Sequence, residues 1–246
     1  MNRILLAMCL SAGAMTSMAN AQTVVYDGLN VGTGATFTSA TPRTFMGQGF
    51  SITDPAATPL VSQIRVVMVA GGAVNYLASR LNLTLWDTYD ATATGTALAF
   101  SNSLGTTTFN TGPVTTTGAT ALTFTLNFAT PIALTGATGH GITFNWQSDA
   151  AGTGTFINNT LLTTALRAGT GGPPPALTVG ANLNPSGGYF RNAAGLTTGN
   201  FQANDARAIT NVGGLMFEIT TVVPTPGAAA LLGMGGLLAA RRRRTA

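Results

Sequence analysis

The chain has 246 residues, enough for one large β domain or two small ones, and 45% of them are apolar, which excludes intrinsic disorder. Only 7% are charged, against roughly 25% in ordinary globular proteins; threonine (42) and glycine (31) fill the gap, a composition of strands and turns. The pI of 10.0 invites a nucleic-acid partner, but Arg3 and Arg241–Arg244 carry the excess: between residues 22 and 223 six arginines face seven acids, a formal charge of −1 with no basic cluster, and that excludes a nucleic-acid footprint.

The first segment reads as a signal helix. Arg3 supplies a short basic start, an apolar run follows from Ile4 to Ala14, and Ala19-Asn20-Ala21 has the small-x-small pattern of signal-peptidase cleavage. Cleavage after Ala21 leaves Gln22 as the new N-terminus. Cys9, the only cysteine, departs with the signal, so the exported body has no thiol, disulfide or thiolate metal ligand and rests on its core alone.

The body, 22–222, alternates with the period of strands. Leu81, Leu83 and Leu85 oppose Asn82, Thr84 and Trp86. Leu122, Phe124, Leu126 and Phe128 oppose Thr123, Thr125 and Asn127. Ile142, Phe144 and Trp146 oppose Thr143, Asn145 and Gln147, which assigns Trp146 to the core, and Leu215, Phe217 and Ile219 oppose Met216, Glu218 and Thr220. The more continuous apolar run from Gln63 predicts a central strand or a bulge. Weaker strand candidates are 23–26, 44–52, 97–101, 131–134 and 154–157. Strands with one polar face and Gly/Pro/Asn turns predict an all-β fold, a single antiparallel β-sandwich that is jelly-roll-like.

Two stretches break the pattern. Residues 102–120 are Thr/Gly-rich and read as a long loop or a ragged edge strand. In residues 158–210 Pro173-Pro174-Pro175 forbids a central strand, and a loop this long is either functional or a sign of further strands, with Tyr189, Phe190 and Phe201 pinning it to the body.

Catalytic patterns are missing from the body. His140 is the only histidine, set in Thr138-Gly139-His140-Gly141, and reads as a solvated turn residue. There is no nucleophile elbow, no zinc-binding histidine pair and no P-loop lysine, so no catalytic, cofactor or metal residues are assigned. Asp87 and Asp90, the closest acids, read as an Asx-capped turn, with calcium as the alternative. Trp86 has two readings. It faces outward beside Asp87, Tyr89 and Asp90 as a platform for a sugar ring, or it covers one end of the sandwich or supports the long loop. Asp205 and Arg207 are placed to pair locally.

The tail from Val223 has three parts. Pro224-Thr225-Pro226 comes first, then the apolar Ala228–Ala240, then Arg241, Arg242, Arg243 and Arg244 just before the end. Thirteen residues reach about 20 Å as a helix, short of the roughly 30 Å hydrocarbon core, and Gly233, Gly235 and Gly236 weaken that helix. The arginines hold the end in the cytoplasm by the positive-inside rule. The segment therefore halts transfer but anchors poorly. This order resembles the PEP-CTERM sorting signal of exported bacterial proteins, with Thr225 where that family usually has Glu. The resemblance implies a tail helix that sits transiently in the inner membrane and is removed near the prolines by an exosortase, a membrane protease-transpeptidase. It also implies a Gram-negative-type envelope and association with exopolysaccharide.

The expected function is an exported cell-surface or extracellular-matrix protein without catalytic activity, divided as signal 1–21, sandwich 22–222 and sorting tail 223–246. Its expected partners are signal peptidase and an exosortase-like enzyme. The alternative is a carbohydrate-binding module for extracellular polysaccharide, acting through the Trp86 region. A glycan-active hydrolase stands third and requires two acids within about 5–10 Å in a cleft.

Overall fold

A computed structural model of the chain describes residues 21–29, 35–39, 44–54, 58–135, 139–158, 162–169, 176–184, 188–191, 200–207 and 212–223. The strands run in chain order as β1 Ala21–Asp27, β2 Ala35–Ser39, β3 Phe45–Ser51, β4 Leu60–Ala70, β5 Val74–Tyr89, β6 Phe100–Thr116 and β7 Thr120–Ala133. They continue as β8 His140–Asp149, β9 Ile157–Asn158, β10 Leu162–Gly169, β11 Ala181–Asn182, β12 Gly188–Arg191, β13 Ala206–Arg207, β14 Val212–Leu215 and β15 Phe217–Val223, with a 3-10 turn at Ala203–Asp205. The chain divides into two units. Thr23–Thr221 is the sandwich; Met1–Gln22 with Val222–Ala246 is the other, described only at Ala21, Gln22, Val222 and Val223.

The fold is all-β, two antiparallel sheets packed as a β-sandwich. The smaller sheet has the order β1-β15-β4-β10-β14, with β7 on β4 and β2 on β10. The larger has the order β13-β12-β3-β8-β5-β6, with β11 on β3 and β9 on β8. The long strands pass from sheet to sheet, β1 to β3 to β4 to β5, turn once in the β5–β6 hairpin, then cross again to β7 and β8.

The alternating side chains explain the layering. Ile64, Val66, Met68, Phe217 and Ile219 of the smaller sheet meet Met46, Phe50, Leu81, Leu83, Ile142, Phe144 and Trp146 of the larger. Tyr26 stacks on Phe217 at 4.4 Å, and Phe50 and Phe144 meet Phe217 edge-on. Each such side chain, fully buried, contributes about 1.5–3 kcal/mol of transfer free energy.

One polar side chain ties the sheets through this core. Gln48 of β3 is fully buried; its Nε2 donates to Tyr26 Oη at 2.6 Å, and its Oε1 accepts from the Leu215 N–H. Gly214 lets Gln48 through: its φ is 103°, and a Cβ there would strike the Gln48 carbonyl. Burial pushes the Tyr26 phenol far above its ordinary value, so it stays a neutral acceptor for the amide.

The structure decides between the two readings of 102–120 in favour of the ragged edge strand and adds a strand within 158–210. The Thr/Gly-rich stretch at 102–120 is mostly β6, the outermost strand of the larger sheet. Within 158–210 lies β10, which pairs with β4, β2 and β14. Its local sequence hid it, because Thr164, Ala165, Leu166 and Arg167 are all buried, so neither face is solvent-exposed and apolar and polar residues do not alternate. The run from Gln63 is a central strand, β4, and it also carries a register shift between Val61 and Gln63.

Candidate functional site

The outer face of the larger sheet is read most directly from its register. Trp86 of β5 lies opposite Gly141 of β8, and Gly141 lies opposite Gly49 of β3. Thr84, Thr143 and Gly47 form the next row, and Tyr189 of β12 lies opposite Gly47. Asn82 with Asn145, then Arg80 with Gln147 and Asn158, continue toward the far end. One half of the face is thus glycine beneath aromatic rings, and the other half is amide.

In the glycine half, Gly47, Gly49 and Gly141 leave a trough. A Cβ on Gly47 would lie 2.7 Å from the Phe201 ring, and one on Gly49 or Gly141 would strike Tyr89 or Phe100. Phe45, Trp86, Tyr89, Phe100, Tyr189 and Phe201 fill the trough as a second apolar cluster. Phe100 is its hub, with ring centroids 5.4 Å from Tyr189, 5.6 Å from Tyr89 and 6.1 Å from Trp86. Phe201 is brought in by a short ladder in which Ala99 and Ala203 donate to the Phe201 and Ala97 carbonyls at 2.8 and 2.9 Å.

This overturns the outward reading of the proposed platform. Trp86 is 7% exposed, Asp87 7% and Tyr89 8%; of the four, Asp90 alone faces solvent. The Trp86 indole N–H donates to Thr143 Oγ1 at 3.3 Å, and Phe100 stacks over the ring. Trp86 covers the sheet instead of presenting a sugar platform. Asp90 does make an Asx turn, accepting from Thr92 N at 2.8 Å and Thr92 Oγ1 at 2.6 Å.

His140 is also corrected. It opens β8 and is 2% exposed, not solvated. Its Nδ1 lies 3.0 Å from the Asp87 carbonyl, and the Asp87 carboxylate accepts from Thr135 N at 2.8 Å and from Thr135 Oγ1. Burial holds the imidazole below its usual range, with the nearby Asp87 opposing. The three residues knot β5, β8 and the end of β7. Asp205 pairs with Arg191 at 3.3 Å, while the Arg207 side chain lies outside the described residues.

In the amide half, hydrogen bonds run strand to strand. Thr108 Oγ1 donates to Asn82 Oδ1 at 2.7 Å, Asn82 Nδ2 to Asn145 Oδ1 at 3.1 Å, and Asn145 Nδ2 to Asn158 Oδ1 at 3.1 Å. Arg80 Nε donates to Gln147 Oε1 at 2.6 Å, Gln147 Nε2 donates to Asn158 Oδ1 at 3.0 Å, and the guanidinium sits 4.2 Å over the Phe156 ring. Asp149, next along β8, has its carboxylate wrapped by the following loop, Gly154 N at 2.6 Å and Ala151 N at 3.1 Å. Burial would raise its pKa, but the N–H groups of residues 151–154 outweigh that and hold it below the usual carboxylate range.

Chemically, the ladder offers amide donors and acceptors, hydroxyls, one guanidinium and an adjacent ring, the groups that match sugar hydroxyls. The sequence showed Asn82, Thr84, Asn145 and Gln147 as polar faces. It did not show Arg80 and Asn158 joining them, because register is not a local property.

Of the sorting and cleavage residues, Ala21 is described and begins β1, exposed. Ala19, Pro224, Thr225, Pro226 and Arg241–Arg244 lie outside the described residues. Among the described residues no helix is long and apolar enough to cross a membrane, and no group of three His, Cys, Asp or Glu side chains is placed to hold a metal ion. Comparison with known proteins finds no matching family model, no matching curated protein and no matching solved structure.

Proposed function

We propose that the chain is an exported cell-surface or extracellular-matrix protein without catalytic activity, led out by a signal helix and sorted through its tail. The observation that carries this is the ordered tail, Pro224-Thr225-Pro226, then Ala228–Ala240, then Arg241–Arg244, at the opposite end of the chain from a cleavable signal. The tail helix stops transfer in the inner membrane, and an exosortase-like enzyme removes it near the prolines. The strand orders β1-β15-β4-β7 and β3-β8-β5-β6 support the finer reading of the fold as a jelly roll. Intact-mass measurement of the protein from its host tests the processing. A mature chain beginning at Gln22 and lacking Ala228–Ala246 is expected; recovery of the chain with Ala228–Ala246 still attached rejects it.

A second reading is favoured by the amide ladder: binding of extracellular polysaccharide on the outer face of the larger sheet. Its neutral amides, with Arg80 and Phe156 at one end, suit an extended polyol. Affinity electrophoresis in gels containing the host's exopolysaccharide provides the test. Retardation of the wild type and its loss in Arg80→Ala/Gln147→Ala are expected, and equal mobility of the two proteins removes the site.

A further inference from the structure

Between Asp90 and Asp149 the sequence holds no Asp, Glu, Lys or Arg. That stretch builds β6 and β7, and each has a single partner among the described strands, β5 and β4 respectively. Their edges border the same opening, a cleft of about 590 Å³ lined by Leu104 and Thr106 of β6 and by Phe128, Pro131 and Ile132 of β7. The core is incompletely closed here. Leu104, Phe109, Leu122, Phe124, Phe128 and Ile132 pack against it yet remain half-buried.

A free strand edge exposes main-chain N–H and C=O groups that another strand satisfies in register. Folded proteins usually guard such edges with lysine, proline or bulges. β6 is guarded by bulges: φ is 56° at Asn102, 103° at Gly105 and 78° at Gly112, and its pairing with β5 slips. β7 is not guarded over its first eight residues, where Thr120–Asn127 pair without interruption with Ala70–Gln63, and Pro131 comes only later.

We propose that β7 is the interface between two copies of this chain, paired edge to edge and antiparallel about a two-fold axis. The unbroken edge is complementary to itself. Two uncharged edges meet without desolvating an ion, whereas a charged partner would lose water and find no counter-charge. The second copy also covers the open sides of Leu122, Phe124 and Phe128. This interface is independent of how the protein is exported.

Sedimentation velocity of the full chain over a wide concentration range tests it. The wild type is expected to double its mass as concentration rises. Ala121 and Thr123 are exposed on the outer face of β7, away from the core. Ala121→Lys/Thr123→Lys places like charges across the junction and is expected to weaken the dimer at least about tenfold, with Trp emission unchanged. Ser101→Lys, an exposed position on β6, leaves it intact. In the wild type, amide hydrogen exchange across 120–127 slows as concentration rises. A chain that stays monomeric, a dimer indifferent to the β7 lysines, a dimer equally weakened by Ser101→Lys, or exchange in β7 that ignores concentration overturns the proposal.

Discussion

His140 Nδ1 carries its proton toward the carbonyl oxygen of Asp87, 3.0 Å away, and lies 3.7 Å from the Asp87 carboxylate. A carbonyl only accepts, so the neutral ring is protonated at Nδ1. Burial depresses the folded pKa below the ordinary 6.5. As pH falls through 6.5 the unfolded chain therefore takes the proton before the folded one does, and stability drops until the folded ring also titrates. Urea midpoints of wild type and His140→Gln, measured across pH, should keep a constant difference above about 6.5. Below that value the wild type should lose ground to the variant. A difference that stays constant down to pH about 5 contradicts this account.

Trp86 is a structural residue, so its removal should cost stability. Trp86→Ala empties the trough beside Phe100 and is expected to lower unfolding free energy by about 3–5 kcal/mol. Urea denaturation followed by circular dichroism measures it. A loss under about 1 kcal/mol would mean that the ring is not packed as described.

The trough depends on missing side chains. Gly141→Ala drives a methyl into the Phe100 ring and should cost about 1–3 kcal/mol. Gly141→Ala/Phe100→Leu should cost less than the sum of the two single changes, because the smaller side chain vacates the space the methyl needs. Additive costs in a double-mutant cycle would count against a direct clash.

Gln48 serves two partners at once. Gln48→Ala leaves the Tyr26 hydroxyl and the Leu215 N–H without the amide and should cost about 1–3 kcal/mol for each stranded group. In a Tyr26→Phe background the same change should cost less, since one of those groups is gone. Equal costs in both backgrounds would show that the Tyr26 bond contributes nothing.

The long alternating strands were legible because each buries one face: Leu81, Leu83 and Leu85 face the core as their spacing requires. β10 was not legible, since both faces of Thr164–Arg167 are covered and no apolar/polar alternation marks it. The fate of Trp86 was not legible either. The alternation gave its side of the sheet correctly, but that side is roofed by Phe100, Tyr189 and Phe201, which arrive from other segments. One signal was available: Gly47 and Gly49 sit two apart on a strand and clear one face, and Gly141, which read as part of a turn, extends the clearing. Tertiary coverage of that kind decides burial where local pattern decides only orientation.

The ladder from Thr108 through Asn82 and Asn145 to Asn158 joins neutral dipoles, not ions. Ion pairs weaken as dissolved salt shortens the screening length, about 8 Å at physiological strength, while bonds between neutral groups scarcely respond. The outer layer of the larger sheet therefore holds its shape from dilute medium to brine.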